Sequence, residues 1–222
     1  MRRLAPVLAL AIATTTVSAD VSTTERKRIG EAATVVKEIH AVPDKDIPQE
    51  LWNKAACVIV VPGLKKAAFV IGGEYGKGLM SCRHNRGWSA PIFVQIGKGS
   101  VGFQIGAQSI DLVLLVMNTT GLEKMLRNKV TLGVEASVAG GPVGRDARAA
   151  TDAQMKAEIL SYSRTQGLFA GVNLSGGIVK AADEDNEDLY GASVVPRDVV
   201  LGTAIKAPPA ADAFMAALEG AP

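Results

Sequence analysis

The sequence is poor in the side chains that carry most enzyme and metal chemistry. It contains two histidines, two cysteines and only 5% aromatic residues. The histidines, His40 and His84, stand far apart, and no Cys or His pair has the spacing of a zinc site. A G-x-S-x-G elbow, a G-x-x-x-x-G-K-[ST] loop and a G-x-G-x-x-G turn before a helix are also absent. We therefore predict no catalytic residue, no metal site, no cofactor and no enzyme activity.

Long apolar runs are missing except at the N-terminus. Arg2-Arg3 precede an apolar stretch over residues 4–17, and Val17-Ser18-Ala19 fits a small-x-small cleavage site. The stretch is shorter than the ~20 apolar residues that span a bilayer. No Cys follows the cleavage point, so a lipoprotein anchor is not indicated. We predict that residues 1–19 are a secretory signal peptide and that residues 20–222 form one domain, exported to the periplasm or envelope.

An excess of charge of one sign is absent as well. The chain has 24 Lys and Arg against 22 Asp and Glu. Removal of Arg2 and Arg3, with no acidic residue lost, leaves 22 against 22. Because nucleic-acid binding depends on many phosphate contacts, we expect none in a neutral chain. Affinity for an anionic surface has to come from a local patch.

The start of the mature chain has the pattern of an amphipathic helix. Apolar residues recur at spacings of three and four from Ile29 to Ile39, and Thr23 or Thr24 can cap the helix. Arg26-Lys27-Arg28 lie near its start. A basic amphipathic helix can lie at a bilayer interface. It can also pack its apolar stripe on a sheet, and the two hypotheses are compatible if only the first turn touches lipid.

The rest of the chain alternates between apolar and polar residues, which predicts strands. Residues 87–108 alternate twice around 97–100, which predicts a β-hairpin with Lys98 at its tip. The connections are too short for repeated helical crossovers. The predicted fold class is α+β, with a curved, mainly antiparallel sheet, N-terminal and flanking helices, and barrel-like closure left open. Predicted strands cover 57–61, 67–72, 78–83, 110–117, 132–138, 157–163, 168–175 and 178–181; predicted helices cover 46–54, 120–128, 186–190, 196–201 and 210–218.

Four blocks of residues resemble the SYLF-domain family, in that family's order over roughly residues 24–201. The resemblance implies lipid binding, with anionic phosphoinositides as ligands, and binding to actin filaments in eukaryotic members. An exported bacterial protein is not expected to meet actin. The blocks are Val70-Ile71-Gly72-Gly73 with Gly76 and Gly78; Gly87-Trp88-Ser89-Ala90-Pro91 with residues 102–107; Gly141-Pro142-Val143-Gly144-Arg145; and Tyr162-Ser163 with residues 167–171.

From these observations we predict a non-enzymatic envelope protein that binds anionic phospholipid or phosphoinositide-like headgroups. The leading contacts are Arg26, Lys27 and Arg28. Lys65, Lys66 and Lys98 are secondary candidates, expected in exposed loops and turns. The alternative is a structural or protein-interaction component of the envelope without lipid affinity. Lipid identity, headgroup or acyl-chain binding and oligomeric state are left open.

Cys57 and Cys82 lie in two of the predicted strands. An oxidising compartment permits a disulfide between them. A bond requires Cα atoms within ~7 Å, a distance that sequence alone does not give. Pairing of the two cysteines is therefore left open.

Acidic residues raise two further questions. The segment 183–188 lacks the Gly and Glu of an EF-hand loop, so we expect a solvated acidic turn that caps a short helix. Asp111 and Glu135 fall within strand patterns. For a buried acid we expect a partner such as Arg145 or Arg148, or a position at a strand end.

Overall fold

The computed structural model describes residues 21–39, 46–84, 87–127, 129–144, 156–165 and 168–221. Helices pack around a strongly curled, mostly antiparallel half-barrel sheet, which is the predicted α+β class. The elements are α1 (Thr23–Glu38), α2 (Gln49–Lys54), β1 (Cys57–His84), β2 (Gly87–Trp88), β3 (Ile92–Val116), α3 (Thr119–Met125), β4 (Val130–Thr131), β5 (Val138–Gly140), β6 (Ile159–Thr165), β7 (Leu168–Gly171), β8 (Ile178–Ala181), α4 (Asp183–Tyr190), α5 (Pro196–Leu201), a 3-10 turn (Pro209–Ala211) and α6 (Asp212–Glu219).

The sheet has the order β2-β1-β3-β6-β5. Strand β7 adds to β6, and β8 pairs with both β3 and β4. All of these pairs are antiparallel except β5 with β6.

Two very long strands, β1 and β3, form the centre of the sheet. Their antiparallel register runs from Cys57 opposite Val116 to Met80 opposite Ile92, with shifts at two bulges. The predicted hairpin at 87–108 is therefore wrong, because β3 continues through Gly97 and Gly99 without a turn. The separate strands predicted within 57–83 are likewise one strand. Glycines that resemble turn residues in the sequence belong instead to a strongly curled ribbon, and at Gly76 and Gly78 the missing side chain allows close approach of another part of β1.

Strand β1 curls until its beginning contacts its end. A Cβ atom on Gly78 would overlap the carbonyl oxygen of Val60, so only glycine fits at this crossing. The Arg83 N–H donates to the Ala56 carbonyl over 2.7 Å. A disulfide joins Cys57 to Cys82, whose Cα atoms are 3.9 Å apart. The curl is thus closed by a backbone hydrogen bond and by a covalent bond.

Near the crossing, both faces of the central ribbon are buried. Alternate residues at the start of β1 belong to different clusters, which explains the apolar run over residues 57–61. One cluster joins the sheet to α1, α2 and α6 and includes Ile29, Trp52, Val58, Leu79, Phe93 and Phe214. The other fills the concave side under α5 and includes Ile59, Met80, Ile92, Leu112, Leu114 and Val199.

A second close approach joins two of the sequence blocks that resemble the SYLF family. The ring of Tyr162 occupies the space that a Cβ atom on Gly141 would need. The backbone of Gly171 lies against Gly140 and Gly141 with equally little room. These blocks therefore fix how β5, β6 and β7 pack.

Several element boundaries differ from the predictions for local reasons. Helix α1 is capped by Ser22, whose capping box with Glu25 displaces the expected Thr cap. Helix α3 is capped by Asn118, one residue before its first turn. The strand predicted over 132–138 is interrupted by a turn over 133–135, with Gly133 at a φ of +80°, and only Val138 belongs to a strand, β5. Strand β8 and helix α5 have the predicted bounds.

Candidate functional site

The basic segment Arg26-Lys27-Arg28 lies in the first turns of α1. Arg26 is exposed, and its Nε donates to the Val21 carbonyl over 3.1 Å. The Lys27 side chain is 77% exposed, and its one ion pair with a described residue is a long contact with Glu31, at 3.7 Å. Arg28 is half-buried. The first two charges are thus presented to solvent.

The apolar stripe of α1 is not available to a membrane in this structure. Ile29, Ala32 and Val36 are buried, and the helix packs against α6 and β1. Of the two hypotheses for this helix, the structure shows packing of the stripe within the domain. Any lipid contact by α1 in this state would be made by its charged turn.

Helix α1 lies on the same side of the sheet as α4, since Ile29 of α1 and Leu189 of α4 belong to one buried cluster. Burial raises the pKa of Glu25, hydrogen bonds from Ser22 oppose the shift, and the charges of Asp185 and Asp188 add to it. The basic turn therefore has an acidic neighbour.

Lys65, Lys66 and Lys98 lie within strands, and the expectation of loops and turns is wrong for all three. Lys65 is exposed, while Lys66 forms an ion pair with Glu74 at 3.2 Å. Lys98 stands opposite Glu74 in the β1–β3 register, and its Nζ contacts the Asn173 carbonyl at 3.4 Å. Glu74 thus pairs directly with Lys66 and reduces the positive charge that Lys66 offers, whereas Lys98 is only its neighbour in the register.

Asp111 belongs to an ion-pair network next to α1. Its carboxylate accepts from Arg164 Nε over 2.8 Å and from the Gly63 N–H over 2.9 Å. Arg164 also contacts Glu38 of α1. Burial raises the pKa of Asp111 and the Gly63 hydrogen bond opposes that shift. The partner is Arg164, whereas Arg145 and Arg148 lie outside the described residues.

Glu135 does not lie in a strand, contrary to its sequence pattern. It occupies the exposed turn after β4, where its carboxylate accepts from the Thr131 N–H over 2.7 Å. That hydrogen bond lowers the pKa of Glu135. The residue therefore stabilises a turn.

The acidic segment 183–188 forms most of α4. Asn186 is buried and pairs with both backbone groups of Phe93, accepting over 2.7 Å and donating over 2.9 Å. Asp185 forms an ion pair with Lys77 at 2.8 Å. These contacts hold the start of α4 against β1 and β3. The solvated turn expected from the sequence is in part a docked helix.

A cleft opens between α4 and the exposed part of the sheet. In the register, Gln95 of β3 stands opposite Lys77 of β1 and opposite Lys180 of β8, so the three side chains share one face. The cleft encloses about 330 Å3. We call it the α4 cleft and define it by Tyr75, Lys77, Gln95, Lys180, Asp183 and Glu184. Sequence reasoning missed it, because these residues come from three distant segments.

Other classes of site find little support in the described part of the chain. No group of three or more His, Cys, Asp or Glu side chains there is placed to hold a metal ion. His84 ends β1, and His40 lies outside the described residues. No helix among the described segments is long and apolar enough to cross a bilayer.

The fold is an α+β domain built on a curled half-barrel sheet, and its glycine crossings lie in the blocks that resemble the SYLF-domain family. A family model described as Ysc84, Las17-binding protein actin regulator, matches residues 97–221. The chain belongs to this family.

Curated relatives agree with this assignment. LAS seventeen-binding protein 3 of Saccharomyces cerevisiae is 33% identical over 181 residues, 79% of this chain and 39% of the relative. Protein YSC84 of the same yeast is 31% identical over 180 residues, with 79% and 38% covered. Human SH3 domain-containing YSC84-like protein 1 is 30% identical over 179 residues, with 78% and 52% covered. The chain thus spans about 40% to half of the length of these relatives.

Proposed function

We propose that this domain binds membrane surfaces that carry anionic lipid, with the basic first turns of α1 as the contact. The observation that carries the proposal is the exposure of Arg26 and Lys27 on a helix whose apolar stripe is already buried. This arrangement favours an electrostatic contact with headgroups over insertion of the helix into the acyl region.

The neighbouring contacts leave these charges available. The ion pair of Lys27 with Glu31 is long and exposed, and such surface pairs contribute little. Arg26 donates one of its N–H groups to a carbonyl, which does not neutralise its charge. Lys66, by contrast, is held by Glu74. We therefore assign the leading role to α1 and keep Lys65 as a secondary contact.

The expected affinity is modest. Each basic residue near an anionic surface contributes about 1 kcal/mol, so three give about 3 kcal/mol, or roughly a hundredfold. This attraction decays within a Debye length of about 8 Å at physiological ionic strength. Binding should therefore fall steeply as salt is raised.

Vesicle co-sedimentation tests the proposal. The protein is mixed with phosphatidylcholine vesicles, with or without phosphatidylglycerol or a phosphoinositide, at low and moderate salt. We expect binding only to the anionic vesicles, and its loss in the variant R26Q/K27Q/R28Q. A matched variant, K54Q/R197Q/K206Q, removes three exposed charges elsewhere and should bind as the wild type does. Equal binding to neutral and anionic vesicles would refute an electrostatic contact, and binding retained by the α1 variant would refute its location.

A protein-interaction role is the second candidate. It is favoured by the relatives, whose descriptions name Las17 binding and actin regulation. Sedimentation with actin filaments in place of vesicles tests it, and filament binding without vesicle binding would favour this candidate.

Export is part of the proposal. Cleavage after Ala19 yields a mature protein that begins at Asp20 and meets the outer face of a membrane or the periplasmic envelope. Intact mass measurement of the protein purified from envelope fractions tests this step. A mass that includes residues 1–19 would contradict it.

A further inference from the structure

The α4 cleft carries both signs of charge on opposite sides. Its sheet side has the row Lys77, Gln95 and Lys180, and its helix side has Asp183 and Glu184. The basic turn of α1, in contrast, presents positive charge. The two surfaces therefore suit different ligands.

Lys180 is the cation of the cleft that is free to meet a ligand. Lys77 is held by Asp185, at 2.8 and 3.0 Å from its two carboxylate oxygens. Lys180 is exposed and has no ion-pair partner among the described residues. A ligand anion entering the cleft would thus meet one uncompensated ammonium.

Gln95 supplies a neutral donor next to Lys180. Its Oε1 accepts from the Tyr75 hydroxyl over 3.2 Å, which orients the amide, and its nitrogen Nε2 can donate to a ligand because it has no acceptor among the described residues. Lys180 and Gln95 are directly opposite in the register, with side chains on the same face. A phosphate oxygen can accept from both.

The helix side supplies the opposite chemistry. Asp183 and Glu184 open α4, are exposed, and have no side-chain partner within the described segments. Tyr75 leaves 51% of its surface exposed at the same cleft. Two carboxylates and an aromatic face are groups that bind an ammonium ion.

We propose that the α4 cleft binds a phosphoethanolamine group, with the phosphate on Lys180 and Gln95 and the ammonium between Asp183, Glu184 and Tyr75. A purely anionic ligand would face the two carboxylates, and a purely cationic ligand would face Lys180. A ligand that carries both charges a few bonds apart can place its anion on Lys180 and its cation on the carboxylates, so it avoids both repulsions. The volume of about 330 Å3 is at the small end of ligand sites and suits a headgroup.

A lipid headgroup is the source that we favour for this group. Helices α1 and α4 pack on the same side of the sheet, where Ile29 and Leu189 belong to one buried cluster, so a bilayer that touches Arg26 and Lys27 brings headgroups towards the acidic helix. There the carboxylates repel anionic headgroups and accept a headgroup that carries an ammonium. The binding itself does not require the α1 contact, so it can be tested apart from the proposed function.

Soluble probes test the ligand chemistry. Chemical-shift titrations compare glycerophosphoethanolamine, glycerophosphate and ethanolamine, read on the amides of β8 and the start of α4. We expect saturable shifts with glycerophosphoethanolamine and at least tenfold weaker binding of the other two, because each lacks one charged contact. Binding of glycerophosphate as tight as that of glycerophosphoethanolamine would overturn the proposal. The proposal would also be overturned if none of the three probes bound and vesicle binding did not depend on the headgroup.

Vesicles and variants test the source and the residues. At fixed phosphatidylglycerol, replacing phosphatidylcholine by phosphatidylethanolamine should strengthen binding several-fold, because only the primary ammonium of ethanolamine can donate hydrogen bonds to Asp183 and Glu184. K180Q and E184Q should each remove that gain, while K206Q, the same change at an exposed lysine outside the cleft, should keep it. The variant R26Q/K27Q/R28Q should lose vesicle binding yet keep its glycerophosphoethanolamine shifts. If K180Q and E184Q keep the full gain, the cleft is not the site.

Discussion

The disulfide that closes the curl of β1 gives a stability prediction that can be worked through. Cys57 and Cys82 are 25 residues apart in sequence. In the chain-entropy model a cross-link of this span removes about 12 cal/mol/K from the unfolded chain, or about 3.5 kcal/mol at 25 °C. That is a large part of a typical unfolding free energy of about 5–15 kcal/mol. For a domain of this size it corresponds to a Tm lower by about 7–14 °C.

The assay is equilibrium unfolding in guanidinium chloride, with and without a thiol reductant. Both cysteines are buried, so the wild type is reduced while unfolded and then refolded under reductant. We expect the reduced wild type to lose most of the 3.5 kcal/mol worked out above. The variant C57A/C82A should lose slightly more, since it also leaves small cavities, and should not respond to reductant. An oxidised wild type with the same midpoint as its reduced form would refute the reasoning.

Three further predictions concern folding contacts, each checked by denaturant unfolding. In G78A the free energy of unfolding should fall by about 1–3 kcal/mol or more, because the new methyl group would overlap the crossing part of β1. In G30A, at an open helical position, the free energy of unfolding should rise by about 1 kcal/mol. In N186L the free energy of unfolding should fall by about 2–4 kcal/mol, because the buried backbone N–H and carbonyl of Phe93 lose their hydrogen-bond partner. Burial acts to raise the pKa of Glu158, but hydrogen bonds from Lys124 and Ser137 outweigh burial and lower that pKa below 4.5. The ionised carboxylate should therefore stabilise the fold fully above pH 4.5, and this contribution should disappear as the pH falls through the lowered pKa. E158Q should flatten the pH dependence of the free energy of unfolding.

Sequence periodicity predicted elements best where the chain itself marks their ends. Helix α5 starts at Pro196, and β8 follows Gly177, so both bounds were correct. The pattern failed at Gly97 and Gly99, because a glycine in a curled strand and a glycine in a turn look alike in sequence. What distinguishes them is the opposite strand, and that pairing is a long-range property.

The candidate sites were predictable to a smaller extent. The basic turn of α1 is a run of neighbouring residues, so its position was visible in the sequence. The α4 cleft depends on the register that places Lys77, Gln95 and Lys180 in one row. No local pattern contains that register. The Asp111 ion pair was predicted only in part, since an arginine partner was expected but Arg164 was not identified as that partner.

The long β1–β3 ribbon has a consequence for the order of folding. Met80 and Ile92, which pair at one end of the ribbon, are close in sequence. Cys57 and Val116, which pair at the other end, are separated by the whole length of both strands. The entropy cost of loop closure is smaller for pairs that are close in sequence. We therefore expect pairing of β1 with β3 to begin near β2 and to extend from there towards Cys57 and Val116. Contacts near Leu79 should then be formed in the folding transition state, and those of Val58 should form late. Substitutions at Leu79 would slow folding, and substitutions at Val58 would mainly speed unfolding.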